Sequence, residues 1–378
     1  MSWIEKSMLR ALCDTAFKSA PLLLSVAIAS GQFRLILFCG ILYALCAPRS
    51  FLAFANPIAA SLVVFCLLLL LFFQVPVSQD YKYLTFIWLS GLVASVCFSY
   101  YFGYHCKSLD DARLVFFFVA VVLFLFGAIS IFATMVWMQP PYYGQVLDIV
   151  HWGAIGSGSR VSEFMLLLPI LFCGLLVYKS PRKSLFNVVL SLTVLSLALN
   201  VFLEKRIFYF TVFVLLPILF LFLNKRLNVV KNTGFGILVL CLTGAIFFIL
   251  YDHLIQKFFL EYSRNGGRVW LYESFFQQLA SGHGTQVTMP RSLTDAPLWF
   301  HNIFMDIYRI SGPWAALSLI GLFVVFAQRL LTLASRQPLA ARLIACWFLP
   351  LFFIANVSVV PEGEPQFLLL MVFLMGVT

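Results

Sequence analysis

Uninterrupted apolar runs leave this chain few ways to fold. Ala59–Phe73 and Leu114–Trp137 contain no charged side chain. The second is long enough to cross a hydrocarbon core of about 30 Å, and the first nearly so. In lipid the backbone must satisfy its own N–H and C=O groups, so such runs are read as helices. Composition agrees: 62% of residues are hydrophobic and 11% charged, where soluble domains carry roughly 25% charged residues. The expected fold is all-α, a polytopic transmembrane bundle, with residues 1–378 as one integral membrane domain.

About twelve spans can be counted. They fall at roughly 10–30, 33–47, 57–75, 83–104, 113–138, 161–178, 184–203, 206–223, 231–251, 303–328, 339–358 and 364–378. The net charge of +10 is a membrane-orientation signal rather than a sign of nucleic-acid binding. Lys179/Arg182/Lys183, Lys225/Arg226/Lys231 and Arg329/Arg336/Arg342 mark loops expected in the cytoplasm. Both termini then fall on that side too. The N-terminus lacks a small-residue cleavage site after a short apolar stretch, so no cleaved signal peptide is expected. None of the nine Cys lies in a CxxC or a metal-ligand spacing, and they are read as small packing residues.

One stretch breaks the pattern. From about Tyr251 to His301 the sequence turns polar, with Tyr262-Ser-Arg-Asn-Gly-Gly-Arg-Val-Trp270, Ser281-Gly-His-Gly284 and Trp299-Phe-His301-Asn302. Residues 252–302 are expected to form one large external loop. Within it, Val269–Ala280 is read with Trp270, Phe276 and Leu279 near one helical face and Tyr272 and Phe275 beside it, as a short interfacial helix. A second external loop, Gln139–Arg160, carries a Gly/Ser tract before Arg160.

Three segments invite chemistry. Arg206 follows Glu204-Lys205 at the outer start of a span, where a guanidinium either snorkels to the interface or clamps an anion. Arg264 and Arg268 flank Gly266-Gly267 at the start of the interfacial helix, where backbone N–H groups favour an anion. His301 closes the polar stretch. It either caps the next span or takes a proton near neutral pH. Arg160, Asn302 and Trp270 are further candidate substrate contacts, and Glu362 and Glu364 are read as a solvated turn. No Walker A, GxGxxG, HExxH or GxSxG motif occurs.

The order of these elements resembles the O-antigen ligase and polymerase superfamily of bacterial inner membranes. That family pattern has an Arg at the outer start of a mid-chain span and an external loop opening on Gly-Arg before aromatics. A His-Asn pair follows at the loop's end, with a Gly some ten residues on. Glu204-Lys205-Arg206, Gly266-Gly267-Arg268-Val-Trp270, and His301-Asn302 with Gly312 match in that order. The likeness covers about residues 150–330, and the first 130 residues match only in hydropathy. The Glu-Lys-Arg-Ile context of Arg206 and the short interval from Arg268 to His301 depart from many ligases.

The resemblance implies an inner-membrane enzyme with its site facing the periplasm and both termini cytoplasmic. Its chemistry is a metal- and cofactor-independent, inverting transfer of a glycan from undecaprenyl pyrophosphate to a hydroxyl. The acceptor is the lipid A core for a ligase or a lipid-linked repeat unit for a polymerase, the ligase being the first expectation. Arg206, Arg268 and Arg264 would hold the pyrophosphate and His301 would be the base. The competing class is a transporter or flippase for an anionic lipid-linked substrate. It predicts ionisable residues at mid-membrane, where these spans are almost bare of them.

Overall fold

The computed structural model describes residues 25–30, 33–46, 56–73, 86–106, 108–137, 145–148, 154–178, 183–200, 203, 205–223, 267–281, 287, 300–357 and 364–378. Helices α1 (Phe33–Cys46), α2 (Pro57–Leu71), α3 (Phe86–His105) and α4 (Leu109–Trp137) come first. Strands β1 (Gln145–Asp148) and β2 (Ala154–Ser157) follow, then α5 (Gly158–Tyr178) and α6 (Lys183–Asn200). Helix α7 covers 206–223, with a π-helical turn at Thr211–Leu215 between two α-helical pieces. The rest are α8 (Gly267–Ala280), α9 (Ile303–Arg336), α10 (Pro338–Val357) and α11 (Pro365–Val377).

Among the described residues, five helices are long and apolar enough to cross a membrane: α3, α4, Gly158–Val177 of α5, α9 and α10. Pro57–Leu71, Ser184–Asn200, Ile207–Leu223 and Pro365–Val377 are shorter apolar helices. The protein is a helical membrane protein. The expected span at 231–251 lies outside the described residues, and that at 10–30 is described only from residue 25, where it is helical.

Local chemistry sets the helix limits. Asn56 accepts a hydrogen bond from Ala59 N–H at 2.9 Å, and Pro57 takes the first helical position of α2, where its missing N–H costs nothing. Helix α9 runs further than the expected 303–328 and is bent. Ser311 (φ −142°, ψ 17°) and Gly312 (φ 76°, ψ −174°) leave helical geometry just before Pro313. A side chain at Gly312 would be strained in that conformation. The Ser311 hydroxyl donates to Leu69 O at 2.7 Å and ties the bend to α2.

The loop expected at Gln139–Arg160 contains a small antiparallel hairpin instead of turns alone. Gln145 pairs with Ser157 and Asp148 with Ala154, and Leu147 N–H donates to Thr134 Oγ1 of α4 at 2.9 Å. Four-residue strands are too short to leave a countable alternation, which is why hydropathy misses them.

Helix α5 lies at the centre, with Val161–Leu171 buried throughout, as expected of a helix that is apolar on every side. It packs against α4, α6 and α10, while α9 packs on α2 and α10. Helices α3 and α11 pack side by side at their last turns. There a methyl group on Gly103 would run into Phe373 O, and one on Gly376 into Tyr100 O. Small residues permit this close approach between membrane helices. Cys173 and Cys346 sit 3.4 Å apart, and Cys66 and Cys97 3.8 Å, as free thiols inside helix contacts.

Candidate functional site

Hydrogen bonds between distant residues gather several helix ends at one end of the bundle. Ser162 in the first turns of α5 donates to Asn200 Oδ1 at the end of α6 at 2.6 Å. Tyr209 OH in α7 donates to Asn200 O at 3.2 Å. Phe210 of α7 stacks on Phe353, one turn before the end of α10, with ring centroids 5.4 Å apart. Asn356 O, at that same end of α10, accepts from Asn302 Nδ2 at 3.3 Å and from Tyr272 OH of α8 at 3.4 Å.

This chain of contacts locates the expected residues. Arg206 opens α7, one turn before Phe210. Arg268 is the second residue of α8, one turn before Tyr272. His301 precedes Asn302 directly. The backbone at all three thus belongs to the end of the bundle organised around Asn356. Arg264, His283 and Arg291 lie outside the described residues.

His301 has φ 54°, and it is the one non-glycine residue with positive φ among those described. Non-glycine residues held there cost about 1–3 kcal/mol and persist where the surroundings enforce them. The enforcement is visible. Asn302 is the N-cap of α9: its Oδ1 accepts from Phe304 N–H at 3.1 Å and Met305 N–H at 3.2 Å. Asp306 reaches back from the first turn. Its Oδ1 accepts from Phe300 N–H at 3.4 Å and its Oδ2 from Asn302 N–H at 3.3 Å. Asp306 and Arg309 are fully buried, with Arg309 Nε 3.7 Å from Asp306 Oδ1.

One alternative for this segment falls away: His301 does not cap the span, because Asn302 holds that position. Both ends of the Asn302 amide bond protein backbone.

Helix α8 forms where expected, and of the aromatic and apolar residues expected along it Phe275, Tyr272 and Leu279 pack inward. Leu271 and Phe275 are buried with Val287 and Phe300, and Tyr272, Leu279, Met305 and Tyr308 close around them. Phe275 meets Phe300 and Tyr308 edge to face at 5.2 and 5.3 Å. Trp270 and Phe276 turn outward and are exposed. At about 3.6 residues per turn Leu271, Tyr272, Phe275 and Leu279 share one side of the helix, whereas Trp270 lies opposite Leu279, so the helical repeat itself selects the packed side. Because Phe300 precedes His301, α8 and the His301 backbone are packed as one unit.

Arg160 is also drawn into the fold. Its Nε lies 3.1 Å from Glu364 Oε1 across 204 residues of sequence, and Glu364 is 8% exposed. Glu364 therefore leaves the solvated turn expected for it and joins the start of α5 to the start of α11. Glu163, one turn past Arg160, is fully buried. A buried acid near a helix end in a membrane protein is an uncommon feature.

Among the described residues, no three His, Cys, Asp or Glu side chains gather as metal ligands would. Cys106 lies between α3 and α4, where burial and then the nearby Asp111 carboxylate push its thiol up to about 12.

Comparison with protein-family models, curated proteins and solved structures finds no match for this chain. What defines its class is the helical membrane fold with one polar, hydrogen-bonded end.

Proposed function

We propose that the protein is a membrane glycosyltransferase acting at the His301 end of the bundle, which faces the periplasm of a bacterial inner membrane. The donor is a glycan on undecaprenyl pyrophosphate, and the acceptor is a hydroxyl. Arg206 and Arg268, with Arg264, hold the pyrophosphate and stabilise the charge that grows on it as the glycosidic bond breaks. His301 takes the proton from the acceptor hydroxyl as its oxygen attacks the anomeric carbon. Direct displacement inverts that carbon and leaves no sugar on the enzyme.

The observation that carries this reading is the constrained backbone of His301. A histidine held in a sparsely populated conformation, at the bundle end where Arg206 and Arg268 open their helices, fits a residue placed for chemistry. The π-helical turn that follows Arg206 within α7 supports it, since such turns recur at functional sites. We read Asn302 and Arg160 as framework for the site. Trp270, exposed and two residues from Arg268, is kept as a sugar-stacking contact.

The acceptor we assign first is the lipid A core, as in O-antigen ligation; a lipid-linked repeat unit would make the protein a polymerase. Lipopolysaccharide from a deletion strain separates the two. Loss of all O-antigen with lipid-linked polymer retained means ligase, and a core bearing a single repeat means polymerase. The chemistry is tested with purified protein and lipid-linked donor. Arg268→Lys keeps the charge but loses the planar fork, so transfer is expected to fall at least about tenfold at unchanged protein level. Transfer near wild type in Arg268→Lys would sink the bidentate clamp.

A further inference from the structure

The N–H groups of Phe300 and Asn302 point to one place, with His301 between them at positive φ. Two such N–H groups, one residue apart around a left-handed residue, form a small concavity that favours an anion. Here the anion belongs to the chain itself: one oxygen of Asp306 sits on each N–H, at 3.4 and 3.3 Å. We infer that Asp306 is the positioning residue for His301, its buried carboxylate clasping the N–H groups of the two flanking residues and fixing the imidazole's point of attachment.

An ordinary helix cap does not account for this arrangement. Asn302 already supplies the cap to Phe304 and Met305. A capping carboxylate reaches back to the cap residue alone, whereas Asp306 also holds Phe300, two residues before the cap. Such a carboxylate is ordinarily at the surface, whereas Asp306 is fully buried beside a fully buried Arg309. Burying an ion pair is a poor route to stability and is better explained by the geometry it specifies. Phe300 is in turn gripped by Phe275 of α8, so the clasp links the His301 backbone to the helix that carries Arg268.

The inference rests on the reading of His301 as the general base, and the test separates the two. The chain holds five His, so protein labelled with 13C,15N-histidine and placed in lipid nanodiscs gives few signals. The His301 signal is the one lost in His301→Asn. In Asp306→Asn one amide oxygen remains to accept one N–H, and the NH2 group cannot accept the other. The His301 Cα and Cβ shifts are then expected to move from left-handed to extended values while the other histidines stay in place. Transfer kcat should fall about 10²-fold, as for an ångström-scale misplacement, with donor KM unchanged.

If Asp306→Asn does not accumulate because Arg309 is left buried, the double variant Asp306→Asn/Arg309→Met removes both charges and takes the same two measurements. An unmoved His301 signal in whichever variant folds overturns the clasp. A moved signal with unchanged kcat overturns its part in catalysis. Full transfer by His301→Asn is a failure of the general-base reading itself and appears in a different protein sample.

Discussion

At the His301 end, side chains distant in sequence reach one another through hydrogen bonds; at the opposite end, α3 and α11 meet backbone to backbone. Arg160 with Glu364, Ser162 with Asn200, and Asn302 and Tyr272 with Asn356 O make up the first set. Gly103 against Phe373 O and Gly376 against Tyr100 O make up the second, with the Asn56–Tyr100 pair close by at 2.7 Å. Directional bonds fix where atoms sit but contribute only about 0.5–1.5 kcal/mol each. Close apolar approach sets how near two helices come and cares little about any single polar atom. The polar end is thus built for position and the glycine end for cohesion. Substitutions should split accordingly, into losses of rate and losses of folded protein.

The largest expected effect is on rate at the polar end. His301→Ala should lower transfer about 10²–10⁴-fold, the usual cost of a missing proton acceptor. His301→Asn is the sharper companion, because Asn tolerates positive φ and keeps the backbone path while removing the imidazole. Both variants should be inactive, with donor binding intact by titration. Activity recovered in His301→Asn would turn the site's main residue into a backbone device and erase the contrast.

Next comes Gly103→Ala at the opposite end. The added methyl must push Phe373 O away, an overpacking cost of about 1–3 kcal/mol. Thermal unfolding in detergent should shift down while kcat per folded molecule holds. A lower kcat without a lower midpoint would mean that the two ends are coupled.

Asn302→Ala should have the smallest effect on folding, about 1 kcal/mol for a lost helix cap. It also loses the bond to Asn356 O, so transfer should fall along with stability. Asn302→Asp keeps the cap and loses that donor. Comparing the unfolding midpoints of the two variants isolates the cap, and comparing the rate of Asn302→Asp with wild type isolates the tie to α10.

Helix positions were legible in the sequence because lipid demands long apolar runs, and those runs stop at charge, Pro or Asn. Asn56-Pro57 and Gly267 begin helices where local chemistry says they should. The bend at Gly312-Pro313 was not drawn, although its residues permit it, because its hold on Leu69 crosses 242 residues of sequence. The candidate site was legible as a set of residue types at one end. Its framework was not. Asp306 looks like any acidic residue in a first helical turn until its carboxylate is seen to reach Phe300. Glu364 looks like a turn residue until Arg160 arrives from far along the chain. On α8 the packed side, Leu271, Tyr272, Phe275 and Leu279, was legible from the helical repeat, whereas Trp270 and Phe276 lie off it and are exposed.

The break in α9 also bears on how the protein meets membranes of different thickness. Below Gly312, α9 shows Trp314, Leu317, Ile320, Val324 and Leu331 outward. That length adapts by tilting when the hydrocarbon layer thins or swells. Above it, Ile303–Ile310 is short, about 12 Å, and carries Asp306 and Arg309 in the interior. A straight helix would transmit the tilt to His301 as a lever. The joint at Gly312, with Ser311 moored to α2, is where the two lengths can take different tilts.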